Sequence, residues 1–265
     1  MPFLAPANAQ EVLDYGLHGI ALSRYSSTLV GLKLVTDVVE GGGSVYVSPD
    51  SPKINVPERA GARPGITVYT ESMAAERQLW DVKLRLVLDY ARANDLNQIS
   101  GDTDASIGIV AAGKAWQDLE HALAGMGYAN GRLGGAKVRL LKVGMVWPLD
   151  QEIVTDFAEG LDTIIVVEEK RKLIEVQIKE AIFDDRRGRR VWGGRKGSPE
   201  AEVLFPVPMS LDPELARAAA VGVTFRSGVD IKALESDGRR ITVAAVVVVD
   251  ARRRIAWLRK ERGRF

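Results

Sequence analysis

The chain has 265 residues, of which 46% are hydrophobic and 27% are charged, and both fractions are near the average for globular domains. The net charge of +1 gives no whole-chain basis for binding nucleic acid, and no apolar run reaches the roughly 18 residues that a membrane span needs. The absence of cysteine excludes disulfides, cysteine nucleophiles and cysteine-ligated iron–sulfur clusters within this chain. The N-terminal residues lack the features of a secretory signal, so we expect a cytoplasmic protein.

The first part of the chain predicts helices. Apolar residues recur at helical spacing over 10–40, and the glycines at 41–43 are expected to end that helix. SVYV at 44–47 predicts a short strand, and the Pro-, Gly- and charge-rich stretch 48–66 predicts a linker. The predicted apolar face of the first helix carries Val12, Gly16, Leu17, Ile20 and Ala21, followed by Leu29, Leu32, Val35 and Val39. A second helix is predicted over 72–93, with Trp80, Leu84, Val87, Leu88 and Ala91 on its apolar stripe.

Strands and helices alternate from residue 106 onward. Strands are predicted at 107–112, 138–143 and 163–169, and helices are predicted at 114–126, 148–160 and 170–183. This alternation predicts an α/β domain with a mostly parallel sheet flanked by helices. VLFPVP at 203–208 predicts a further strand, and the tail after residue 220 predicts strands around a turn at Asp237-Gly238.

Three strand ends supply the candidate interface residues. In an open parallel sheet, ligands bind beyond the carboxyl ends of the strands, so side chains at those ends share one edge. That edge is suited to an anionic ligand or to a neighbour that carries a cofactor. Ordinary turns and helix caps explain the same residues, and this alternative stays open. The residues are Gly113, Lys114, Trp147, Glu168, Glu169, Lys170 and Arg171.

Other motifs are weaker. Gly101-Asp102-Thr103, with Asn130 downstream, approaches the Gly-Asp-Gly signature of thiamine diphosphate enzymes, but Thr103 replaces the second glycine and the strand follows the motif instead of preceding it. The glycine-rich stretch 125–135 misses the dinucleotide-binding spacing and predicts a helix stop and surface loop. His121 and His18 both fall off their helices' predicted apolar faces. Asp184 and Asp185, with arginines beside them, favour surface ion pairs over metal ligands.

Several segments together resemble the fused-chain indolepyruvate ferredoxin oxidoreductases, which depend on thiamine diphosphate. The first begins EVLDYGLHGIALSRY and spans 11–47, and the second is ERQLWDVKLRLVLDYARANDLNQI at 76–99. The third is IGIVAAGKAWQDLEHAL at 107–123, followed by WPLD at 147–150 and VVEEKR at 166–171. The ordered combination is more specific than any single segment, because the last two elements also occur in pyruvate dehydrogenase β-type chains.

The resemblance implies a domain organisation. Residues 1–47 would be the C-terminal part of a thiamine pyrimidine-binding domain, and 48–100 a linker and connecting helix. Residues 101–215 would form a transketolase C-terminal-like domain, and 216–265 a divergent basic tail. The resemblance fades after about residue 215, which suggests a truncated or frame-disrupted gene.

The resemblance also implies an activity for the complete family enzyme. That activity is the oxidative decarboxylation of aryl 2-oxoacids to acyl-coenzyme A with reduction of ferredoxin, using thiamine diphosphate, magnesium and [4Fe-4S] clusters. The family's cofactor-contacting residues map onto no position here, so we expect no catalytic, cofactor-binding or metal-binding residue in this chain. We therefore expect a fragment or split part that is inactive alone and binds none of these cofactors alone. Its partners would be other domains or chains of the oxidoreductase.

Three alternatives stay open. The chain is also consistent with a non-catalytic assembly or regulatory module of the same fold, and with part of another 2-oxoacid oxidoreductase. The basic stretches 186–196 and 251–265 are typical of a solvated loop and tail, or of a patch that binds RNA or an acidic protein.

Overall fold

A computed structural model describes residues 1–59, 64–65, 72–133, 135–169, 171–184 and 188–193, and the backbone of three strands between 229 and 258. The described chain forms two compact units. The first contains Met1–Gln98, Ala112–Lys114 and Lys142–Ile153, and the second contains Ile99–Ala111, Ala115–Leu141 and Val154–Phe265. The predicted strand at 203–208, the turn at Asp237-Gly238 and parts of both basic stretches lie outside the described residues.

The first helix of unit 1, α1, spans Ala9–Ser26 and is shorter than predicted. Asn8 caps it, because its side-chain oxygen accepts a hydrogen bond from the Glu11 N–H at 3.0 Å. The helix ends at Ser27, whose φ of 56° is left-handed and whose N–H bonds to the Ser23 carbonyl. The prediction of one helix over 10–40 is therefore wrong, because local serine and threonine hydrogen bonds compete with the helical pattern at this point.

The buried face of α1 also differs from the predicted one. Tyr15, His18, Leu22 and Tyr25 are buried, whereas Leu17 and Ile20 are exposed. The prediction that His18 lies off the buried face is wrong. The prediction was based on the aliphatic residues of α1. In the structure, its aromatic residues pack against another helix and determine which face is buried.

After α1 come strand β2 (Gly31–Leu32) and helix α2 (Thr36–Val39). The predicted strand at 44–47 does not form. The Gln10 side chain instead accepts from the Tyr46 N–H at 2.6 Å and donates to the Tyr46 carbonyl at 3.2 Å. The amide side chain thus pairs with the backbone N–H and carbonyl of Tyr46 as a neighbouring strand would.

A continuous helical run from 72 to 93 confirms the second predicted helix. It consists of α3 (Ser72–Gln78), a π-helical turn (Leu79–Lys83) and α4 (Leu84–Ala93). Trp80 is exposed, contrary to its predicted place on the apolar stripe, while Val87, Tyr90 and Ala91 are buried. The core of unit 1 lies between α1 and α4 and comprises Leu4, Tyr15, Leu22, Tyr25, Val87, Tyr90, Ala91, Leu96 and Met145.

A small three-stranded sheet completes unit 1. Its central strand is β1 (Phe3–Leu4), which pairs with β2 in parallel and with β7 (Met145–Trp147) antiparallel. Leu4 and Met145 are both fully buried, so this short sheet contributes to the core through two adjacent apolar side chains.

The main sheet has six strands: β3 (Asn97–Gly101), β4 (Ile107–Ala112), β5 (Arg132–Leu133), β6 (Ala136–Val143), β8 (Thr163–Val167) and β9 (Arg190–Trp192). Their order is β3-β6-β4-β8-β9, with β5 beside β6. The pairs β4–β8 and β8–β9 are parallel, whereas β5–β6 is antiparallel. The mixed α/β sheet flanked by helices confirms the predicted fold class.

Three helices occupy the predicted places between these strands. They are α5 (Lys114–Gly125), α6 (Gln151–Ala158) and α7 (Ile174–Ala181). Ile174 and Ile178 of α7 are buried, whereas Leu173 is exposed. In the tail, β10 (Val229–Ser236), β11 (Ile241–Val249) and β12 (Ile255–Leu258) form an antiparallel sheet, in agreement with the strands expected there.

Candidate functional site

Gly113 and Lys114, the first candidate pair, form a local turn and ion pair in unit 1. Gly113 has a φ of 55°, and an added Cβ would lie 3.5 Å from the Pro6 carbonyl oxygen. The Lys114 ammonium lies 3.4 Å from the Asp37 carboxylate, and only 15% of its side chain is exposed. An anionic ligand at Lys114 would therefore compete with Asp37.

Trp147 lies half-buried in β7, where it pairs with Phe3 of β1. The last residue of the same WPLD motif, Asp150, is buried and binds the Arg92 guanidinium through two hydrogen bonds of 2.6 and 2.7 Å. Asp150 also accepts from the Glu152 N–H at 3.1 Å, which caps the start of α6. The motif thus joins α4 to the first turn of α6.

Glu168 caps α7. One carboxylate oxygen accepts from the Leu173 and Ile174 N–H groups at 3.0 and 2.7 Å, and the other accepts from Glu175 N–H at 2.9 Å. A carboxylate at the positive end of a helix is stabilised by both these bonds and the helix dipole. Glu168 therefore has a structural role in unit 2 whatever else this strand end does.

The other residues of this strand end are Glu169, Lys170 and Arg171. The Arg171 N–H bonds to the Glu169 carbonyl at 3.0 Å, and the Arg171 side chain is exposed. Lys170 lies outside the described residues. Gly113, Lys114 and Trp147 belong to unit 1, and Glu168, Glu169 and Arg171 belong to unit 2, so a shared interface edge stays a prediction.

The loop Gly101-Asp102-Thr103 follows β3 directly, so the expectation that no strand precedes the motif is wrong. A buried arginine holds the loop. Arg139 of β6 donates to the carbonyls of Asp102 and Thr103, and also to those of Phe157 at 2.8 Å and Glu159 at 2.7 Å. A buried guanidinium needs such a set of acceptors because its five donors lose water on burial.

The carboxylate of this loop is also engaged. Asp102 accepts from the Asp104 N–H at 2.9 Å and lies 3.9 Å from the Lys137 ammonium. Both a local hydrogen bond and a cation thus occupy the only carboxylate of the Gly-Asp-Thr motif. This arrangement does not fit a magnesium–diphosphate site, which needs free carboxylate and carbonyl ligands around the ion.

Among the described residues, no group of three or more His, Asp and Glu side chains is arranged to hold a metal ion. Asp184 is exposed, and Asp185 lies outside the described residues. His121 is exposed on α5, which confirms the prediction for that residue.

Sequence reasoning missed a buried polar contact between α1 and α4. His18 Nδ1 and the Tyr90 hydroxyl are 3.0 Å apart, and the two rings pack edge to face with centroids 6.0 Å apart. Burial lowers the pKa of His18 and raises the pKa of Tyr90 to about 12, so both are neutral near pH 7. A histidine within an aromatic-rich helix is the only sequence signal of this contact.

Sequence reasoning also missed a cleft in unit 2 of about 630 Å³. Its buried residues include Trp116, Leu123 and Leu140, and its rim includes the exposed Ser100, Glu120 and Asn130. The glycine-rich stretch forms one wall as a surface loop with turns, as predicted: Asn130 and Gly131 have φ values of 49° and 75°. Gly101 and Asn130, the two ends of the Gly101…Asn130 motif, both line this cleft.

A family model described as the indolepyruvate oxidoreductase domain matches residues 97–248, which is more than half of the chain. The chain belongs to the indolepyruvate oxidoreductase family. The match confirms the family resemblance and runs past residue 215 into β11. Within the family domain lie the six-stranded sheet, the cleft and the candidate residues from Gly113 to Arg171.

Curated relatives carry the same family name. The chain is 25% identical over 190 residues to indolepyruvate oxidoreductase subunit IorA of Pyrococcus horikoshii, and the match covers 70% of this chain. It is 28% identical over 185 residues, or 67% of the chain, to the IorA subunit of Methanothermobacter thermautotrophicus. The chain spans 28% of the length of either relative.

Two solved structures are similar to the chain at lower identity. A 2-oxoglutarate:ferredoxin oxidoreductase from Magnetococcus marinus has a TM-score of 0.48 and 13% identity, covering 83% of this chain and 41% of that one. A split-gene transketolase, described as an inactive β4 tetramer, has a TM-score of 0.46 and 14% identity, covering 83% and 56%. Within the described part of this family member, no helix has the length and apolar character of a membrane span.

Proposed function

We propose that the chain contributes a transketolase C-terminal-like part to an indolepyruvate:ferredoxin oxidoreductase. The family match over 97–248 is the observation that supports this. In the proposed reaction, the bond to the carboxylate of an aryl 2-oxoacid breaks to release carbon dioxide. The acyl carbon bonds to the sulfur of coenzyme A, a proton is released, and the remaining electron pair passes to ferredoxin.

The described residues do not fit the family's cofactors. The Asp102 loop is bonded to Arg139 and Lys137, and the chain has no cysteine to ligate an iron–sulfur cluster. We therefore place thiamine diphosphate, magnesium, the [4Fe-4S] clusters, and the binding of coenzyme A and ferredoxin on other domains or chains. In this proposal the present chain supplies structure and a contact surface, and carries no chemical step.

Exposed apolar side chains of unit 1 support an assembly role. Ile20 on the outer face of α1 is 54% exposed, and Leu29, Tyr46 and Val47 are each more than 60% exposed. Large apolar side chains left in water favour association with a partner that covers them. We propose that other parts of the oxidoreductase cover them, and that Trp147, Glu169 and Arg171 contribute to contacts at the strand ends. We also place the protein in the cytoplasm, where ferredoxin is available.

Calorimetry with thiamine diphosphate and magnesium tests the proposal. We expect no saturable heat with the chain alone, and saturable heat when the products of the adjacent genes are added. Saturable heat with the chain alone would refute the assignment of the cofactor to other chains. No saturable heat in either titration, with the chain alone or with the added gene products, would refute the split-enzyme proposal and favour the non-catalytic module.

An interface variant makes the test sharper. Ile20→Asp places a charge on the exposed face of α1 without touching its buried side, so it should weaken complex formation with the partner chains. Gln117→Asp, on the exposed face of α5, is the matched control and should assemble normally. Equal assembly of both variants would argue against the α1 surface as the contact.

A further inference from the structure

The unit 2 cleft has the dimensions of a small-molecule site. Its volume of about 630 Å³ lies within the roughly 300–1,000 Å³ that ligand pockets occupy. It is bounded by α5, by the loop after α5, and by residues of β3 and β6. Pockets of this kind combine an apolar floor with a few polar groups, and this cleft has both.

The floor is apolar and buried. Trp116 and Leu123 come from one face of α5, and Leu140 comes from β6; all three are at most 6% exposed. Tyr128 is half-buried beside them, and its hydroxyl approaches Gly101 so closely that an added Cβ there would lie 3.0 Å away. The side chains that a ligand would contact are therefore already ordered, which lowers the entropic cost of binding.

The carboxylate at the rim of the cleft favours a cationic ligand. Glu120 lies on the rim four residues after Trp116, which places both on the same face of α5. Among the described lining residues there is no lysine, arginine or histidine. Aromatic rings beside a carboxylate attract organic ammonium ions through cation–π and ionic interactions, and an anion would be repelled.

We propose that the cleft lined by Trp116, Tyr128 and Glu120 binds a small organic ammonium ion with an aromatic body. The aromatic body would lie against Trp116 and Leu123, and the ammonium group would reach the Glu120 carboxylate at the rim. This site does not depend on the proposed oxidoreductase function. Its chemistry also disfavours the anionic 2-oxoacid and coenzyme A of that reaction.

Three probes of similar size and different charge test the proposal on the full chain. Phenethylamine is a cation at neutral pH, 2-phenylethanol is neutral and phenylacetate is an anion. Binding is followed by NMR through the indole N–H resonance of Trp116, assigned with the Trp116→Phe variant. We expect saturable shifts of this resonance, with phenethylamine binding about threefold or more tighter than phenylacetate.

Two test variants, each with a control variant, distinguish the charge of the site from its shape. Glu120→Gln should weaken phenethylamine about two- to fivefold and leave 2-phenylethanol unchanged, because only the ionic contact is lost. Glu180→Gln removes an exposed carboxylate from α7, outside the cleft, and should change neither. Ala124→Phe should fill the cleft and block all three probes, while Gln117→Phe on the exposed face of the same helix should not.

Each outcome of these binding experiments either supports the proposed site or overturns it. Cation preference at Trp116 that is lost in Glu120→Gln and blocked in Ala124→Phe would establish the site. Equal or tighter binding of phenylacetate would overturn the assignment of ligand charge. No saturable shift at Trp116, or binding that survives Ala124→Phe, would overturn the site itself.

Discussion

The guanidinium of Arg92 and the carboxylate of Asp150 face each other through two parallel hydrogen bonds, with Nε 2.6 Å from Oδ2 and Nη2 2.7 Å from Oδ1. The Asp150 side chain is 4% exposed and that of Arg92 is 39% exposed, so the pair is screened from water on one side only. This geometry is the bidentate fork that gives Arg–carboxylate pairs both strength and orientation. It links Arg92 of α4 to Asp150 of the WPLD motif, which lies 58 positions later in the chain.

Arg92→Met should destabilise the protein by about 2 kcal/mol, because the buried Asp150 carboxylate loses its counterion while the partial exposure of Arg92 reduces the cost. Urea unfolding measures the loss. Glu152→Gln is the control, since Glu152 also contacts Arg92 but its side chain is 73% exposed, and it should change stability by less than about 0.5 kcal/mol. Equal effects of the two variants would contradict a dominant role for the buried pair.

The buried His18 should make folding stability depend on pH. Burial holds the folded-state pKa of His18 below 6.5, so the unfolded chain binds the proton more tightly than the folded one. The stabilisation from neutral His18 is complete above about pH 6.5 and is lost as pH falls below 6.5 toward the folded pKa. Thermal unfolding between pH 8 and 5 should show this decline.

Variants of the two histidines distinguish the source of that decline. His18→Gln should flatten the pH dependence, because glutamine stays neutral throughout the range. His121→Gln should leave it unchanged, because His121 is exposed on α5. A profile that is the same in His18→Gln and the unaltered protein would assign the decline to other groups.

Loss of the α7 cap should be visible locally. Glu168→Ala leaves the N–H groups of Leu173, Ile174 and Glu175 without the carboxylate, and should cost about 1 kcal/mol. Hydrogen exchange of those three amides should accelerate, while amides of α5 should not change. Glu169→Ala is the neighbouring control, and faster exchange at the same amides in that variant would show that the cap is not specific to Glu168.

Arg139→Lys should destabilise unit 2 by about 3 kcal/mol, because one ammonium cannot reach the four carbonyls that the guanidinium serves. Arg132→Lys on β5 is the matched control, since Arg132 is exposed. Chemical unfolding of both variants gives the comparison. A small loss in Arg139→Lys would mean that water replaces the guanidinium at these carbonyls.

The strand–helix alternation was predictable because its signal is local. The runs that became β4 and β8 are almost wholly buried, and such apolar, β-branched runs favour strands in any sheet. The edge strand β3 gave no such signal: four of its five residues are exposed, and its sequence NQISG resembles a loop. Its partner β6 lies more than 30 residues away, so no pattern within β3 itself marks the pairing.

By itself the sequence determined the fold class, the family and the alternating strands and helices from β4 to α7, since these depend on the order of local patterns. Only the tertiary structure decided which face of α1 is buried. Tyr90, 72 residues later in the chain, bonds to His18, and this contact leaves Ile20 on the exposed face of the helix. The role of Gly101-Asp102-Thr103 was decided in the same way, because Arg139, 36 positions after Thr103, bonds its carbonyls and makes a metal-like motif into a structural loop.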